Sequence, residues 1–333
     1  MKRLLALLAL LVAVPTQAHV FCVSDSATLA TALSIARSNG EDDIVRLVRG
    51  TYVGAGFSFN SSEALGLEIS GGYDAGCASS DHDASHTVLD AGGLRQVLET
   101  YTPGAVSLAY LTVQNGVQNG SSGGGLQLGG SGAGSAVTLR NLIVRNNSSD
   151  YAVGRAVVYV DGEVRLENNL FVSNSAPGSA ALYIYAAMPG SVYLINNTFN
   201  ANAATSAGNA AVYLNSVGSG VNAYVSSNIF WGNNADMDFG FFAENVQLSN
   251  NDIGILSGSA AGSSGNVSVD PGFKAADDWH LRPDSPLRDA GLLNPPGGLP
   301  SFDIEGQPRS YNASVDMGAY QHGDRIFADN FGG

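Results

Sequence analysis

The sequence predicts an all-β fold in which short strands repeat as the coils of a solenoid. Asparagines recur at intervals of 28, 28 and 31 residues, and an apolar triplet and a second asparagine follow each of them. The first set is Asn141, Asn169, Asn197 and Asn228, and the second is Asn115, Asn146, Asn174, Asn202 and Asn233. Three short strands with period-2 alternation fit each repeat of about 28–31 residues, which is typical of a β-solenoid coil.

A helical pattern at residues 26–37 precedes the repeats. Leu29, Leu33 and Ala36 fall on one face, and residues 24–26 offer a polar cap. One amphipathic helix before a long β array is suited to cap the first strands, whose edges would otherwise pair with other chains.

Strand-like segments follow the helix, with Gly- and Asp-rich turns between them. They are residues 44–48, 57–59, 67–69, 88–89 and 97–98. Each coil offers three strand positions. The first strand position recurs at 137–139, 164–166, 192–194 and 223–225, and the second at 142–144, 170–172, 198–200 and 229–231. The third recurs at 126–128, 158–160, 182–184 and 212–214. We expect Leu, Val and Phe to point inward. We expect the asparagines to stack at a corner, because Asn tolerates a left-handed backbone and its amide bonds the next Asn.

The first 18 residues are typical of a secretory signal. Lys2 and Arg3 precede an apolar run at 4–14, and Ala18 ends a small-residue cleavage site. This run is short for a membrane span, and no later segment reaches that length. We therefore expect a mature protein that is secreted or held at the cell surface and is not membrane-spanning.

Charge restricts the partners. Loss of Lys2 and Arg3 with the signal changes the formal net charge from −14 to about −16, and leaves Lys274 as the remaining lysine. Nucleic acids and anionic membranes both require a positive footprint, so neither is an expected partner. An acidic glycan would need calcium to bridge the charges. Nothing in the sequence indicates an oligomeric state.

Two cysteines in an exported chain predict a disulfide, Cys22–Cys77. It would close a loop of about 55 residues and contribute about 4 kcal/mol by chain entropy. Two free thiols are the alternative.

Several motifs carry a family resemblance. They are Leu29–Tyr52, Ser70–Tyr73, Thr87–Asp90, Val269–Phe273, Ser285–Gly291, Asp303–Arg309 and Val315–Tyr320. In their order these stretches resemble the right-handed parallel β-helix superfamily, the pectin-lyase-like fold, and more closely the secreted bacterial β-helix proteins of the choice-of-anchor type. The resemblance implies a right-handed parallel β-helix, export and often a cell-surface role. It implies no particular reaction, because the group is functionally mixed.

The expected organisation is a signal peptide at 1–18, one right-handed parallel β-helix domain at 19–320 and a short tail at 321–333. The domain is divided into an N-terminal cap (19–52), coils (53–254) and a C-terminal cap or tail (255–320). The last residues are either a sorting segment or a segment that covers the final strand edge.

An uncharged stretch suggests a binding face. Between Glu167 and Asp236 the chain runs 68 residues without a charged side chain. The predicted ligand-binding residues are Tyr159, Tyr183, Tyr213, Tyr193 and Tyr224, with Gln127 and Tyr185 beside them. Regularly spaced rings on an uncharged face suit stacking against sugar rings. The alternative is that stacked tyrosines only stabilise adjacent strands.

One charged coil borders that face. Asp161, Glu163, Arg165 and Glu167 alternate along a strand, and we expect all four to face solvent. Carboxylates at alternate positions lie about 6.5–7 Å apart, a separation that suits inverting glycoside hydrolysis. An Arg between carboxylates, with calcium, would suit a β-elimination lyase. Asp161, Glu163 and Arg165 are therefore the catalytic candidates, and a row of solvated ion pairs is the alternative.

Metal ligands are not clearly indicated. Asp81-His82-Asp83 with His86 has a metal-like spacing but lies in a Gly/Ser/Asp loop. From Asp236 onward there are 14 acidic and five basic residues, without a spaced calcium loop. We assign no metal site and no cofactor, and calcium is the ion that this acidic region would take.

The function favoured by the sequence is a non-catalytic exported or surface protein that binds polysaccharide or cell-surface glycan through its tyrosines. A polysaccharide lyase or glycoside hydrolase is the alternative, and a structural surface spacer is a further one.

Overall fold

A computed structural model describes residues 18–54, 56–118, 123–132, 134–150, 156–186, 190–206, 209–216, 220–241, 245–310 and 313–322. These residues form a parallel β-solenoid of about seven turns, which fits a right-handed parallel β-helix and confirms the predicted fold class. The domain boundaries stay predictions. Except for Ala18, the predicted signal lies outside the described residues, as do residues 323–333 of the tail.

The predicted helix is present as α1, Ser26–Ala36. The Asp25 carboxylate accepts a hydrogen bond from the Thr28 amide at 2.8 Å, and the Thr28 side chain completes a capping box. The buried face joins the solenoid core and consists of Leu29, Ala32, Leu33 and Ala36. Within the described residues, no helix is both long and apolar enough to cross a membrane.

The strands are short, as the repeat predicts. In chain order they are β1 His19–Val23, β2 Asp43–Val48, β3 Gly50–Val53, β4 Phe57–Asn60, β5 Leu67–Tyr73, β6 Thr87–Asp90, β7 Leu98–Tyr101, β8 Ala105–Gln114, β9 Val117–Gln118, β10 Leu126–Gly129, β11 Ala136–Arg145, β12 Ser148–Ser149, β13 Ala156–Val160, β14 Val164–Glu167, β15 Leu170–Val172, β16 Ser175–Ala176, β17 Leu182–Ala186, β18 Ser191–Ile195, β19 Thr198–Asn200, β20 Ala203–Ala204, β21 Val212–Ser216, β22 Asn222–Ser226, β23 Ile229–Trp231, β24 Met237–Phe241, β25 Val246–Ser249, β26 Leu256–Ser257, β27 Gly262–Ser264, β28 Phe273–Ala275 and β29 Asp278–Leu281.

The coil strands stack in parallel into three sheets. Sheet A has the main order β1-β2-β5-β8-β11-β14-β18-β22-β25-β27, and β3, β6, β15, β19 and β23 form a second ribbon along the far halves of β8 and β11. Sheet B has the order β4-β7-β10-β13-β17-β21-β24-β26, and sheet C the order β9-β12-β16-β20. The four consecutive coils from β7 to β20 therefore pass through sheet B, both ribbons of sheet A and sheet C.

Apolar side chains form continuous rows inside the solenoid. Phe171, Phe199 and Phe230 occupy equivalent positions of the second ribbon, and their rings stack with centroids 5.0 and 4.8 Å apart. Such rows form when similar side chains recur at equivalent positions of successive coils, and this recurrence is the repeat seen in the sequence.

Two asparagine ladders run at the ends of the second ribbon. One consists of Asn169, Asn197, Asn228, Asn251 and Asn266, and the other of Asn147, Asn174, Asn202 and Asn233. In each step the backbone amide and Nδ2 both donate to Oδ1 of the next Asn. Nδ2 also donates to a strand carbonyl, as Asn197 does to Leu166 at 3.0 Å.

The predicted corner geometry was only half right. The left-handed backbone belongs to the residue before each ladder position: Asn141, Asn168, Asn196, Ser227 and Asn250 at one corner, and Asn115, Asn146, Ser173, Ala201 and Gly232 at the other. Asn141 and Asn146 therefore align with Asn168 and Ser173, one residue from the alignment that the sequence suggests. The misalignment arose because Asn suits both positions.

The C-terminal residues 273–310 and 313–322, called the tail below, return along the outside of sheet A. Asn168, Asn196 and Asn250 donate through Nδ2 to tail carbonyls at 2.7, 2.9 and 2.9 Å, and Asn141 donates to the Asp303 carbonyl. Apolar side chains of the second ribbon and the tail pack in two further clusters, which include Ile143, Leu170, Ile229, Leu287, Ile304 and Met317. The left-handed asparagines of the first corner thus direct their side chains at the tail and hold it.

The predicted disulfide is present, and its Cys77 side is buried. It joins Cys22 on β1 to Cys77 in the loop after β5, with Cα atoms 5.7 Å apart. It therefore ties the N-terminal strand to the third coil strand of sheet A.

Candidate functional site

Two of the predicted tyrosines stack on the outer face of sheet B. Tyr183 on β17 and Tyr213 on β21 are direct register partners, and their rings lie parallel with centroids 5.4 Å apart and 4° between planes. Both side chains are half-buried. The alternation of β17 and β21, which buries Leu182, Ile184, Val212 and Leu214, turns these rings outward.

The expected place of Tyr159 in this stack was wrong. Val157 is the register partner of Tyr183, and Tyr159 that of Tyr185. A slip of two residues keeps every side chain on its face, so alternation alone could not reveal it. The side chain of Tyr159 lies outside the described part of the chain. Gln127 does align with Val157, one coil before Tyr183.

A second outward column completes a small platform. Tyr185 and Asn215 are register partners beside the Tyr183–Tyr213 stack, and Asn215 Nδ2 donates to the Tyr183 hydroxyl at 3.3 Å. Neighbouring coils lie about 4.8 Å apart and alternate strand residues about 7 Å apart. The four side chains therefore form a two-by-two grid of aromatic and amide groups without charge.

This platform ends at a cleft. Asp238 on β24 is the register partner of Tyr213, and it lines a cleft of about 590 Å³. The other polar lining residues are Thr205, Ser206, Asn209, Asn234 and Ser257. Burial, followed by the nearby Asp238 charge, raises the pKa of Tyr213, which therefore stays a neutral hydroxyl. Hydroxyl, amide and carboxylate groups thus converge next to a ring face, and sequence reasoning missed this cleft.

The other predicted tyrosine pair lies on a different sheet. Tyr193 on β18 and Tyr224 on β22 stack with centroids 5.4 Å apart on sheet A. The Arg165 guanidinium lies 4.6 Å from the Tyr193 ring centroid, and a Cβ at Gly297 of the tail would be 2.6 Å from that ring. The five predicted tyrosines therefore do not form one face, and the tail lies against Tyr193.

The charged coil forms an ion-pair network next to Tyr193. Arg165 contacts Glu163 at 3.2 Å and Glu167 at 2.8 Å, and Arg140 contacts Glu167 at 3.2 Å. Burial opposes the charge on Arg165, but Glu167 and Glu163 outweigh it and raise its pKa. The expectation that all four charged residues face solvent was wrong for Glu167, which is 6% exposed. Two arginines enclose it, and Arg165 also donates to the Gly297 carbonyl of the tail.

Asp161 lies at a turn and has other partners. Its carboxylate accepts from the Gly132 amide at 2.6 Å, and its own amide donates to Ser135 Oγ at 3.1 Å. Of the three catalytic candidates, the structure therefore joins Glu163 and Arg165 directly, while Asp161 holds the turn of the preceding coil. Arg155, a further charged residue of this region, lies outside the described residues.

The tail also roofs a second cleft. This space of about 400 Å³ is lined by His82, Tyr110, Arg140, Glu167 and tail residues 297–302. The His82 ring centroid lies 4.7 Å from that of Tyr110, and burial raises the pKa of Tyr110. Sequence reasoning did not find this cleft, because its roof is more than 120 residues from its floor.

The metal-like loop is internally paired. His86 Nδ1 lies 2.8 Å from the Asp81 carboxylate, which Arg49 contacts at 3.2 Å. Burial opposes the charge on Asp81, but its bonds to His86 and Asp83 outweigh it and lower its pKa. His82, the other histidine of the motif, lines the roofed cleft instead.

In the part of the chain that the structure describes, a different cluster of side chains, near the end of the tail, could hold a metal ion. Ligand atoms of Asp289, Asp316 and His322 lie within 4.8 Å of one another. His322 Nδ1 bonds the buried Asp316 carboxylate at 2.7 Å, and that carboxylate also accepts from the Asp289 amide at 2.9 Å. These bonds join the two ends of the tail.

No protein-family model, no curated protein and no solved structure matches this chain. The resemblance to the choice-of-anchor group therefore stays an expectation from the sequence, beyond the β-solenoid itself.

Proposed function

We propose that this chain is an exported, non-catalytic protein that binds neutral polysaccharide along sheet B. The observation that carries the proposal is the parallel Tyr183–Tyr213 stack, whose next register position is Asp238 at the cleft. The edges and the outermost face of a ring stack offer apolar surface to the C–H groups of a sugar, and the amides and hydroxyls around them suit its hydroxyl groups.

Charge favours a neutral ligand. The platform contains no charged side chain, Asp238 stands at its end, and the mature chain carries about −16. An acidic polysaccharide would meet repulsion with no basic group on the platform to offset it. Binding to neutral chains should therefore be stronger than binding to polyuronates, and the difference should shrink as salt is added.

The test measures binding of the purified mature chain to neutral and acidic polysaccharides by affinity electrophoresis and calorimetry. Changing Tyr183 and Tyr213 together to Ala should weaken binding to neutral chains by about tenfold or more, since one lost stacking contact costs about 1 kcal/mol. Changing both to Phe should retain most of the binding, because the rings remain.

Tyr224→Ala is the matched control, because it removes one ring from the equivalent stack on sheet A. It should leave the affinity within about twofold of wild type, a difference of about 0.4 kcal/mol. Binding that survives the double Ala change, or that Tyr224→Ala abolishes equally, would refute the platform. Absence of binding to every glycan would favour the structural spacer.

A polysaccharide lyase or hydrolase is the second candidate, favoured by the roofed cleft beside Arg140 and Glu167. Incubation with a polysaccharide panel, with and without calcium, should then release reducing ends or unsaturated products. Glu167→Gln and Arg140→Met change two charged residues that line this cleft, and each should abolish that release. An unchanged substrate under all conditions would count against it.

A further inference from the structure

The two ends of the solenoid are finished differently. At the N-terminal end, α1 packs its buried face against Phe57 and Phe59, and carboxylates such as Asp25, Glu41 and Asp42 lie nearby. At the other end the chain leaves the last coil sideways, because the tail runs back along sheet A. The N-terminal end of the solenoid is therefore capped by α1, whereas the tail does not cap the C-terminal end.

The last coil presents two strand edges. β26 and β27 are the terminal strands of sheets B and A in the described part of the chain, and every residue in both is exposed. A terminal strand offers a row of backbone donors and acceptors that can pair with another chain. Asn266, which closes this coil, is the last rung of its ladder.

This end carries neither of two common guards against strand pairing, a charged side chain or a proline. Residues 255–269 contain no charged residue and no proline. Exposed apolar side chains lie among them: Ile255, Leu256, Val267 and Val269. Proteins commonly guard a strand edge with charges or proline. Two copies of a chain whose mature form carries about −16 repel each other less where an uncharged segment such as residues 255–269 lies at the contact.

We propose that this end docks a second copy of the same chain, in an end-to-end dimer that pairs the edges of β26 and β27 with their equivalents. The N-terminal end, with its helix and carboxylates, is a poor partner for an apolar strand edge. The C-terminal ends of the two copies therefore pair with each other. Such a two-fold contact closes after two copies and leads to no fibre.

Sedimentation velocity of the purified mature chain over a wide concentration range tests this proposal. The expected result is a reversible dimer with no larger species. Gly262→Asp with Ser264→Asp places two carboxylates on the β27 edge, and a Cβ at Gly262 would lie 3.9 Å from Gln247 Cγ, so there is space for the side chain at that position. It should raise the dissociation constant about 100-fold or more through like-charge contacts.

Ser58→Asp with Asn60→Asp is the matched control, because it adds the same two charges to exposed positions of β4 at the capped end. This variant should dimerise like wild type. Hydrogen exchange should show amides of residues 262–264 protected at high concentration only. A chain that is monomeric throughout, or a dimer indifferent to the β27 charges, would overturn the proposal. So would dimerisation that appears only after removal of residues 323–333, since that segment would then be the cover.

Discussion

At the level of single residues, an asparagine inside a ladder links three coils. Asn197 donates its amide and Nδ2 to Asn228, donates Nδ2 also to the Leu166 carbonyl, and accepts from Asn169. All of these groups are buried in the solenoid. A buried polar group without a partner costs about 1–3 kcal/mol, so the ladder matters mainly because its loss is expensive.

Asn197→Ala should lower the free energy of unfolding by about 3 kcal/mol or more, since it leaves several buried groups unsatisfied. Chemical denaturation of the mature chain measures this loss. Asn60→Ala is the control, because Asn60 is exposed and its Nδ2 donates to Ser58 Oγ at 3.2 Å. This change should alter stability by less than about 0.5 kcal/mol. Equal effects of the two changes would contradict a structural role for the ladder.

At the level of elements, the second ribbon of sheet A is buried on both faces. Its inner face holds the phenylalanine row, and its outer face packs against the tail. Ile143, Leu170, Thr198 and Ile229 succeed one another at one coil position, and Asp252 follows them on the last full coil. A carboxyl therefore occupies a position where earlier coils place mainly apolar groups.

Asp252 should make stability depend on pH. Burial, and then the charges of Asp236 and Asp270, raise its pKa to about 7, although the Val269 amide donates to it. A raised carboxyl pKa means that the folded state holds the proton more tightly than the unfolded state. The stabilisation is complete below about pH 4 and is lost as pH rises to about 7.

Asp252→Asn removes this titration. The variant should therefore be more stable than wild type at pH 8, by up to about 4 kcal/mol for a shift of about three units, and nearly equal to it at pH 4. Denaturation curves of both proteins from pH 4 to pH 8 measure the difference between their free energies of unfolding. The titration of the other carboxylates contributes equally to both proteins and cancels in this difference. A constant difference across this range would contradict a raised pKa for Asp252.

At the level of the whole molecule, the tail connects coils that would otherwise contact only their neighbours. Its partners Asn141, Asn168, Asn196 and Asn250 lie on four different coils. In a solenoid, stability is a sum of coil and neighbour terms, and partial unfolding from an end is the usual weakness. A segment bound across several coils couples their unfolding.

We therefore expect one cooperative unfolding transition. Trp279 lies in the tail and donates to Asn200 Oδ1 at 3.0 Å, so its fluorescence reports tail docking. Trp231→Phe leaves Trp279 as the single tryptophan of the mature chain. Fluorescence and far-ultraviolet circular dichroism of this variant should give coincident denaturation curves. A fluorescence midpoint at clearly lower denaturant would show that the tail detaches before the coils unfold.

The sequence by itself determined the coil repeat, the inward rows, the capping helix and the disulfide pairing. These follow from local periodicity, cap chemistry and the presence of only two cysteines, each of which can be read without knowing the fold. Asn141 and Tyr159 show where alignment of the repeats from sequence fails. Asn141 was misaligned by one residue because asparagine occupies both the ladder position and the position before it. Tyr159 was misaligned by two residues because such a slip preserves the alternation of inward and outward side chains.

Only the tertiary structure decided which of these residues share a surface. It separated Tyr183 and Tyr213 from Tyr193 and Tyr224, placed Asp238 beside the first pair and enclosed Glu167. The physical reason is packing between distant segments. The tail contacts coils more than 100 residues earlier in the chain, and no local pattern specifies which face of a solenoid such a segment will cover.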